Sequence, residues 1–294
     1  MRPSPRGGAG CDPPALARIV VDGSTWPMTD RPAALFEPDG AALVPTDLAR
    51  GPWDRDALHG GPTAAVVARA VEHHLAASAD QGSMFAIARL TLELLRPVPT
   101  APLEVQTRTS RPGRKVTLVE ASVTAGPSRE VARAVVLGVR HRDVALPTRV
   151  TPPPPPARPD GAEPSPQEGD WVAFHNDGVE MRFVSGGFRQ PGPAVVWMRL
   201  RVPVVEGEVT SPVMRAVAVA DFGNGISSEL EMGPWRFLNP ELTVHLARPP
   251  VGEWVGVDAR TVLGTGGSGL AESVLFDVDG ACGRAVQALL VERA

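Results

Sequence analysis

The stretch LTLELLRPV, residues 90–98, alternates apolar and polar side chains and then stops at an Arg-Pro pair. Such alternation is typical of a β-strand with one buried face, and proline is rarely tolerated inside a central strand. The same pattern returns as LTVHLARPP, residues 242–250, which also ends at an Arg-Pro pair. The offset between the two stretches, 242 − 90, is 152 positions, and this recurrence guides the interpretation of the chain.

Two further pairs of segments recur in the same order. RAVVLGV begins at Arg133 and RAVQALLV at Arg284, and GPTAAVVARAV begins at Gly61 and SPVMRAVAVAD at Ser211, which gives offsets of 151 and 150. Matched segments with nearly constant offsets indicate an internal duplication. In each copy a Pro-initiated helix precedes β-patterned segments that short, turn-rich connections join, which favours antiparallel pairing. The predicted fold class is α+β, with one helix on an antiparallel sheet in each copy.

Proline and glycine composition divides the chain into four parts. Residues 151–169 are rich in proline, which fixes φ and lacks an N–H donor, so this segment is predicted to be an exposed linker. The first thirty residues show little periodicity and are predicted to be a weakly ordered tail. The predicted boundaries are therefore 1–30 for the tail, 31–150 for the first unit, 151–169 for the linker and 170–294 for the second unit.

Composition excludes several classes of function. A net charge of −4 over 294 residues gives no reason to expect a nucleic-acid partner. No apolar run approaches the roughly 20 residues of a membrane span. The two cysteines, Cys11 and Cys282, are too few for a disulfide framework and have no neighbouring Cys or His at metal-ligand spacing. We therefore predict a cytoplasmic protein that needs no metal or other cofactor.

The duplication carries motifs that resemble a known family. HGGP at residues 59–62, the two Arg-Pro strand ends and VQ at residues 286–287 together resemble the double hot-dog acyl-CoA thioesterases, of which the type II enzymes are best known. The resemblance implies two tandem hot-dog units, each an antiparallel sheet wrapped around one central helix. It also implies an acyl-CoA or acyl-carrier thioester as substrate and a homo-oligomeric assembly.

Three polar side chains of the second copy align with aliphatic side chains of the first. The aligned pairs are Asp221 with Val71, Asn239 with Ile87, and Gln287 with Val136. Because a buried carboxylate without partners is costly, we expect the three polar groups to satisfy one another or a bound water. A shift of one residue would instead align Glu72 with Asp221, and the sequence leaves this alternative open.

The resemblance assigns roles to these positions. In type II acyl-CoA thioesterases an aspartate at the end of the second central helix, a threonine and a late glutamine orient the water that attacks the thioester. Asp221 and Gln287 match the aspartate and the glutamine, whereas Asn239 replaces the threonine. We predict that Asp221 acts as a general base on a water held by Asn239 and Gln287.

Two other segments are candidates for substrate binding. His59, Gly60 and Gly61 open a helix, and the N–H groups of the two glycines are predicted to stabilise the thioester oxyanion. The turn RPGRK contributes Arg111 and Arg114, which are predicted to bind the phosphates of coenzyme A.

Two alternative functions remain open at the level of sequence. One is a non-catalytic protein that binds acyl chains, in which Asn239 marks lost activity. The other is a hydratase or lyase that acts on a thioester. Hot-dog hydratases carry a Gly-Asp-x-Asn-Pro-x-x-His-like segment, and its absence from this sequence disfavours the second alternative.

Overall fold

The structure, a computed structural model, describes residues 31–78, 84–126, 129–145, 147, 154–160, 171–231 and 233–294. The predicted N-terminal tail lies outside the described residues, as do residues 151–153 and 161–169 of the predicted linker.

The described residues form three α-helices, two short helical turns at Asp47–Ala49 and Phe174–Gly178, and thirteen strands. The helices are α1 (Gly60–Ala77), α2 (Pro212–Ala220) and α3 (Gly223–Ile226). The strands of the amino-terminal half are β1 (Phe36–Asp39), β2 (Ala42–Pro45), β3 (Met84–Leu94), β4 (Leu103–Arg111), β5 (Val116–Ala125) and β6 (Arg129–His141). The strands of the carboxy-terminal half are β7 (Val179–Gly187), β8 (Gln190–Leu200), β9 (Trp235–Leu238), β10 (Glu241–Leu246), β11 (Val255–Leu263), β12 (Ser268–Asp277) and β13 (Gly280–Arg293).

Within the described residues all thirteen strands belong to one antiparallel sheet. Its order is β1-β2-β4-β5-β6-β3-β10-β13-β12-β11-β8-β7, and β9 pairs with β13 beside this path. The order is symmetric about its centre, because β10, β13, β12 and β11 take the places that β3, β6, β5 and β4 take in the amino-terminal half. The α+β double hot-dog fold that the duplication and the resemblance predicted is therefore confirmed.

The central strand pair shows the duplication at the level of single residues. Thr91 of β3 faces Thr243 of β10, and these two residues are 152 positions apart, as the matched segments require. Thr91 also pairs with Val135 and Thr243 with Val286, which reproduces the offset of 151. A local twofold axis therefore passes between the two threonines and relates one half to the other.

The strands next to this axis are irregular at the same place in both halves. The pairing of β3 shifts between Ile87 and Arg89, and at the matching place Asn239 and Pro240 separate β9 from β10. The pairings on both sides of the break keep the offsets, so Asn239 occupies the place of Ile87. The second half therefore has a break in its strand where a polar side chain can turn toward the helix.

The central helices pack against the concave face of the sheet and against each other. The helix α1 contacts β3, β4, β5 and β6, and α2 contacts β8, β10, β11 and β12. Val66 and Val67 of α1 and Val217 of α2 are fully buried. A fully buried valine contributes about 1.5–3 kcal/mol to folding, so this contact is a large part of the core.

The described part of the predicted linker lies on the outer surface of the second half. Residues 154–160 form no helix or strand. The Trp197 indole N–H donates to the Pro156 carbonyl at 3.1 Å, and the Arg158 guanidinium lies 4.6 Å from the centre of the Trp254 ring. No helix among the described residues is long and apolar enough to cross a lipid bilayer.

Candidate active site

Asp221 caps the carboxyl end of α2, and its side chain points toward the first turn of α1. The residue is 4% exposed. Its Oδ2 atom lies 2.8 Å from Nδ1 of His59, which is the N-cap residue of α1. The end of one central helix therefore meets the beginning of the other at a buried carboxylate.

Two amides donate to the same carboxylate. Asn239 Nδ2 donates to Asp221 Oδ1 at 2.8 Å, and Gln287 Nε2 donates to Oδ1 at 3.2 Å and to the Asp221 carbonyl at 3.2 Å. The structure thus brings together all three polar residues that the sequence comparison selected. Both amides contact the carboxylate directly, so they fix its orientation in addition to any contact with a water.

Asn224, which the sequence analysis did not select, orients these two amides. Its backbone N–H donates to Gln287 Oε1 at 3.1 Å, and its Nδ2 donates to Asn239 Oδ1 at 3.4 Å and to the Phe237 carbonyl at 3.2 Å. Because both amide oxygens are engaged by Asn224, both amide nitrogens face Asp221. The segment DFGNG has the composition of a turn, so its sequence offers no indication that Asn224 orients other side chains.

Glycines at two places allow these groups to approach one another. A Cβ atom on Gly223 would lie 2.9 Å from Gln287 Oε1, and one on Gly60 would lie 2.7 Å from Asp221 Oδ2. Any side chain at either position would displace the hydrogen-bonding groups. The glycines that flank the carboxylate are therefore explained by close packing.

The His59 ring nitrogen has two neighbours that compete for it. Nδ1 lies 3.1 Å from the Gly61 backbone nitrogen and 2.8 Å from Asp221 Oδ2. One ring nitrogen cannot accept a hydrogen from an amide and donate one to a carboxylate at the same time. When Asp221 is ionised, the shorter contact requires a proton on Nδ1, and the Gly61 N–H is then available to another acceptor.

A cavity of about 770 Å³ opens onto this site. Its apolar lining includes Trp53, Leu58, Leu94, Val98, Phe188, Phe222, Leu238 and Leu290. His59, Asp221, Asn224 and Asn239 also reach it, as does His175, whose pKa is lowered to about 3 by burial and by the nearby His59. The site is thus a mostly apolar cavity with a few polar groups at one wall, as ligand sites usually are.

The cations at this cavity are Arg96 and Arg236. Arg111 and Arg114, which the sequence analysis selected for binding phosphates, do not line it and instead line a separate cavity with Lys115 and Arg140. The strands explain this difference. The end of β3 and the following residues up to Val98 line the Asp221 cavity, and β4 begins five residues later and ends at Arg111. Nine residues at about 3.3 Å each place the RPGRK turn roughly 30 Å away.

Arg96 and its counterpart Arg248 have different partners. Arg248 Nη2 donates to Asp277 Oδ1 at 2.7 Å, and Asp277 is fully buried. The residue that matches Asp277 in the first half is Ala125, and no ion pair among the described residues involves Arg96. Arg96 is therefore free to bind an anion at the cavity.

The first half has a carboxylate in the corresponding helix contact. Ser211, the N-cap residue of α2, donates through Oγ to Glu72 Oε2 at 2.6 Å, as His59, the N-cap residue of α1, contacts Asp221. The N-cap residues His59 and Ser211 are 152 positions apart, so by position in the helix Asp221 corresponds to Arg69. Glu72 lies about one turn further along α1, so neither Val71 nor Glu72 has the same place in its helix as Asp221, although Glu72 makes the equivalent contact. Burial raises the pKa of Glu72, and the hydrogen bond from Ser211 offsets part of this effect.

The described residues contain no group of three or more His, Cys, Asp or Glu side chains that could hold a metal ion. The polar groups at the cavity are instead one carboxylate, amides, imidazoles and backbone N–H groups. These groups are suited to acid–base chemistry and to stabilising a developing oxyanion.

Comparison with known families assigns this arrangement to a known class of protein. The model of the acyl-CoA thioesterase N-terminal domain matches residues 49–138, and the model of the acyl-CoA thioesterase C-terminal domain matches residues 154–291. The chain belongs to the acyl-CoA thioesterase family. It is accordingly a thioester hydrolase, and the two matches together cover more than half of the chain.

Solved structures share the fold of this acyl-CoA thioesterase at low sequence identity. A conserved hot-dog protein from Alicyclobacillus acidocaldarius is 17% identical with a TM-score of 0.63, and the match covers 88% of this chain and 96% of that one. The TesB protein of Mycobacterium avium subsp. paratuberculosis is 16% identical with a TM-score of 0.58, at coverages of 87% and 95%. The acyl-CoA thioesterase II TesB2 of Mycobacterium marinum is 13% identical with a TM-score of 0.58, at coverages of 81% and 90%. None of the curated proteins compared with the chain matches it.

Proposed function

We propose that this thioesterase hydrolyses acyl-CoA by general-base activation of water at Asp221. The observation that carries the proposal is the buried carboxylate, held by Asn239, Gln287 and His59 at the wall of the cavity. A carboxylate offers about four acceptor sites, and three are used here. Because Asp221 lines the cavity, the remaining site can accept a hydrogen bond from a water there.

The water attacks the thioester carbonyl carbon while its proton passes to Asp221. The amides of Asn239 and Gln287 keep the carboxylate in one orientation, so the base does not have to reorganise during the reaction. Collapse of the tetrahedral intermediate then breaks the C–S bond. The thiolate of coenzyme A takes up the proton held by Asp221, which regenerates the base, and the carboxylic acid product loses its own proton to solvent.

The first turn of α1 supplies donors for the negative charge that develops on the thioester oxygen. Gly60 and Gly61 begin the helix, where backbone N–H groups are not used within the helix. Donation by His59 Nδ1 to Asp221 leaves the Gly61 N–H available for the oxyanion. The positive end of the α1 dipole adds to this stabilisation.

The cavity suits a substrate with an apolar acyl group and an anionic end. Trp53 and Phe237 pack edge to face at 5.4 Å beside the apolar lining, which would contact the acyl chain. Arg96 and Arg236 are exposed at the cavity and would bind the phosphates of coenzyme A. We infer that fatty or related acyl-CoA molecules are the substrates.

The test is thiol release from acyl-CoA of graded chain length by the wild-type protein and by Asp221→Asn. Loss of a general base lowers the rate by about 10²–10⁴. Substrate binding, measured by calorimetry with Asp221→Asn, is expected to persist because the amide keeps the shape of the carboxylate. A wild-type protein that binds acyl-CoA but releases no thiol would instead be the acyl-binding protein.

We further infer a cytoplasmic location and a homo-oligomeric assembly, and both remain predictions. Cys282 is buried and unpaired, and burial raises the pKa of its thiol to about 11, which suits a protein without disulfide chemistry. Light scattering on the purified chain measures the assembly, and a mass equal to one chain would contradict it.

A further inference from the structure

The hairpin of β7 and β8 is longer than its counterpart in the first half, the hairpin of β1 and β2. The two hairpins are aligned by the offset 255 − 103 = 152, which relates two strand pairings, Leu43 with Leu103 and Met198 with Val255. Beyond these pairings β1 and β2 make one further pair, whereas β7 and β8 make four and end in a turn at residues 187–190. The extension therefore belongs to the second half alone.

The extended part of the hairpin bends and is held in place. The pairing of β7 with β8 shifts twice between residues 183 and 187, and such irregularities bend a strand. Gly186 has a φ of 71°, and a Cβ atom there would lie 2.6 Å from the Pro193 carbonyl oxygen, so the chain folds back closely on itself. The Gly192 N–H donates to the Ser228 carbonyl at 2.9 Å. This bond ties the hairpin to the segment that follows α3.

Phe188 lies in the turn of this hairpin and lines the Asp221 cavity. Its ring packs edge to face against Phe183, with 5.8 Å between the ring centres, and it lies 6.5 Å from the His175 ring. A Cβ atom on Gly225 would lie 3.8 Å from Phe188 Cε1. Among the described residues that line the cavity, none belongs to β1 or β2. The extension thus adds an aromatic ring to the cavity wall.

Two neighbours of Phe188 place its ring close to the reacting groups. His175 lies near His59 at the start of α1. Gly225 directly follows Asn224, which orients both of the amides that hold the catalytic carboxylate. The ring therefore lies beside the part of the cavity where the thioester carbonyl must be placed for attack.

We propose that Phe188 determines which acyl groups this thioesterase accepts, by excluding those that branch next to the carbonyl carbon. The inference rests on the proposed hydrolysis at Asp221 and adds the class of acyl group. A single methylene chain can pass beside the ring, whereas a second substituent on the same carbon would collide with it. Straight-chain acyl-CoA molecules are therefore the preferred substrates. A misfit of one methylene group in an apolar pocket changes kcat/KM by about 10- to 200-fold.

The experiment compares hexanoyl-CoA with its isomer 2-ethylbutanoyl-CoA, because the two acyl groups contain the same atoms and differ only in branching. Thiol release gives kcat/KM for each, and the wild-type protein is expected to prefer the straight chain by at least about tenfold. Phe188→Ala should raise kcat/KM for the branched isomer and reduce this preference at least about threefold. Equal changes of kcat/KM for both isomers, or a wild-type protein without a preference, would overturn the inference.

Two further variants make the outcome specific. Gly225→Ala adds a methyl group at van der Waals distance from the Phe188 ring and close to no other described residue outside its own helix, so it should increase the preference for the straight chain. Val184→Ala changes an exposed residue of the same hairpin that does not line the cavity, and it should leave the preference unchanged. A decrease of the preference in Gly225→Ala would also contradict the role of the ring.

A binding measurement separates this inference from the proposed hydrolysis. If the wild-type protein releases no thiol, the hydrolysis at Asp221 is wrong, but the shape of the cavity is still tested by calorimetric titration of Asp221→Asn with the two isomers. The straight-chain isomer should bind at least about tenfold more tightly, and adding Phe188→Ala should remove most of this difference. Equal affinities of Asp221→Asn for the two isomers, or no binding of either, would overturn the role of Phe188.

Discussion

The two central helices each begin at a capping residue that contacts a carboxylate of the other helix, but the surroundings of the two contacts differ. His59 meets Asp221, which also accepts hydrogen bonds from Asn239 and Gln287. Ser211 meets Glu72, and there the positions that match the two amides hold Ile87 and Val136. A cavity of about 770 Å³ opens onto Asp221, and Glu72 is not among its lining residues.

This comparison shows which features distinguish a reactive site from a structural contact. A carboxylate at a helix junction is present in both halves, so it cannot by itself account for hydrolysis. The second half adds two amides that orient the carboxylate, a third amide residue that orients the two, and an open cavity. We therefore attribute the proposed hydrolysis to the amides that orient the carboxylate of Asp221 and to the cavity beside it.

Among the variants that exchange residues between the two halves, the largest effect is expected when position 287 receives the valine of the first half. Gln287→Val removes a donor to Asp221 and leaves the buried Asn224 N–H without an acceptor. A hydrogen bond to a charged group is worth about 1.5–3 kcal/mol, so we expect kcat to fall by about 10- to 100-fold. Steady-state thiol release measures this.

The reciprocal variant Val136→Gln should leave kcat within about twofold and lower the free energy of unfolding by about 1–3 kcal/mol. Equal losses of kcat in both variants would contradict the asymmetry.

A smaller effect is expected at position 239. Asn239→Ile, which copies Ile87, removes the 2.8 Å hydrogen bond to Asp221 and should lower kcat by about tenfold. Asn239→Thr introduces the residue that the family resemblance predicts there, and its hydroxyl can still donate, so kcat should stay within about threefold of wild type. Should the threonine variant be as slow as the isoleucine variant, the donor role of this residue is wrong.

The smallest effect is expected from Glu72→Gln. Burial raises the pKa of Glu72 above its ordinary value of 4.5, so the folded state binds a proton more readily than the unfolded state does. Stability should therefore fall as the pH rises from 4.5 through this raised pKa. Glu72→Gln should remove that dependence and change Tm at neutral pH by less than about 2 °C. Thermal unfolding from pH 4 to 8 measures it, and an unchanged slope would show that Glu72 is not the titrating group.

The sequence predicted the sheet and much of the site because strand repeats keep a fixed register. The strand pairings of Thr91 and Thr243 keep the offsets of 152 and 151. The same offsets identify Asn239 and Gln287 as the counterparts of Ile87 and Val136 in the first half. Helix alignment is less secure, because a helix contact depends on where each helix begins and how far it extends. The sequence therefore left Glu72 and Val71 as alternatives to match Asp221.

The positions of the cations could not be predicted, since they depend on strand direction within the assembled sheet. Arg111 and Arg114 lie at the opposite end of β4 from the cavity. Arg96 was visible as a strand-ending residue in the sequence, but its availability follows from the lack of a partner such as Asp277, which only the folded structure shows. Arg236 has no distinctive motif.

The central claim is tested most directly by measuring kcat for Asp221→Asn and Glu72→Gln side by side on one acyl-CoA. Each variant replaces a buried or half-buried carboxylate with an amide of the same shape, so the two differ only in which helix contact is changed. The account predicts that Asp221→Asn loses about 10²–10⁴ in kcat while Glu72→Gln stays within about twofold of wild type. Comparable losses in both, or a loss confined to Glu72→Gln, would contradict it.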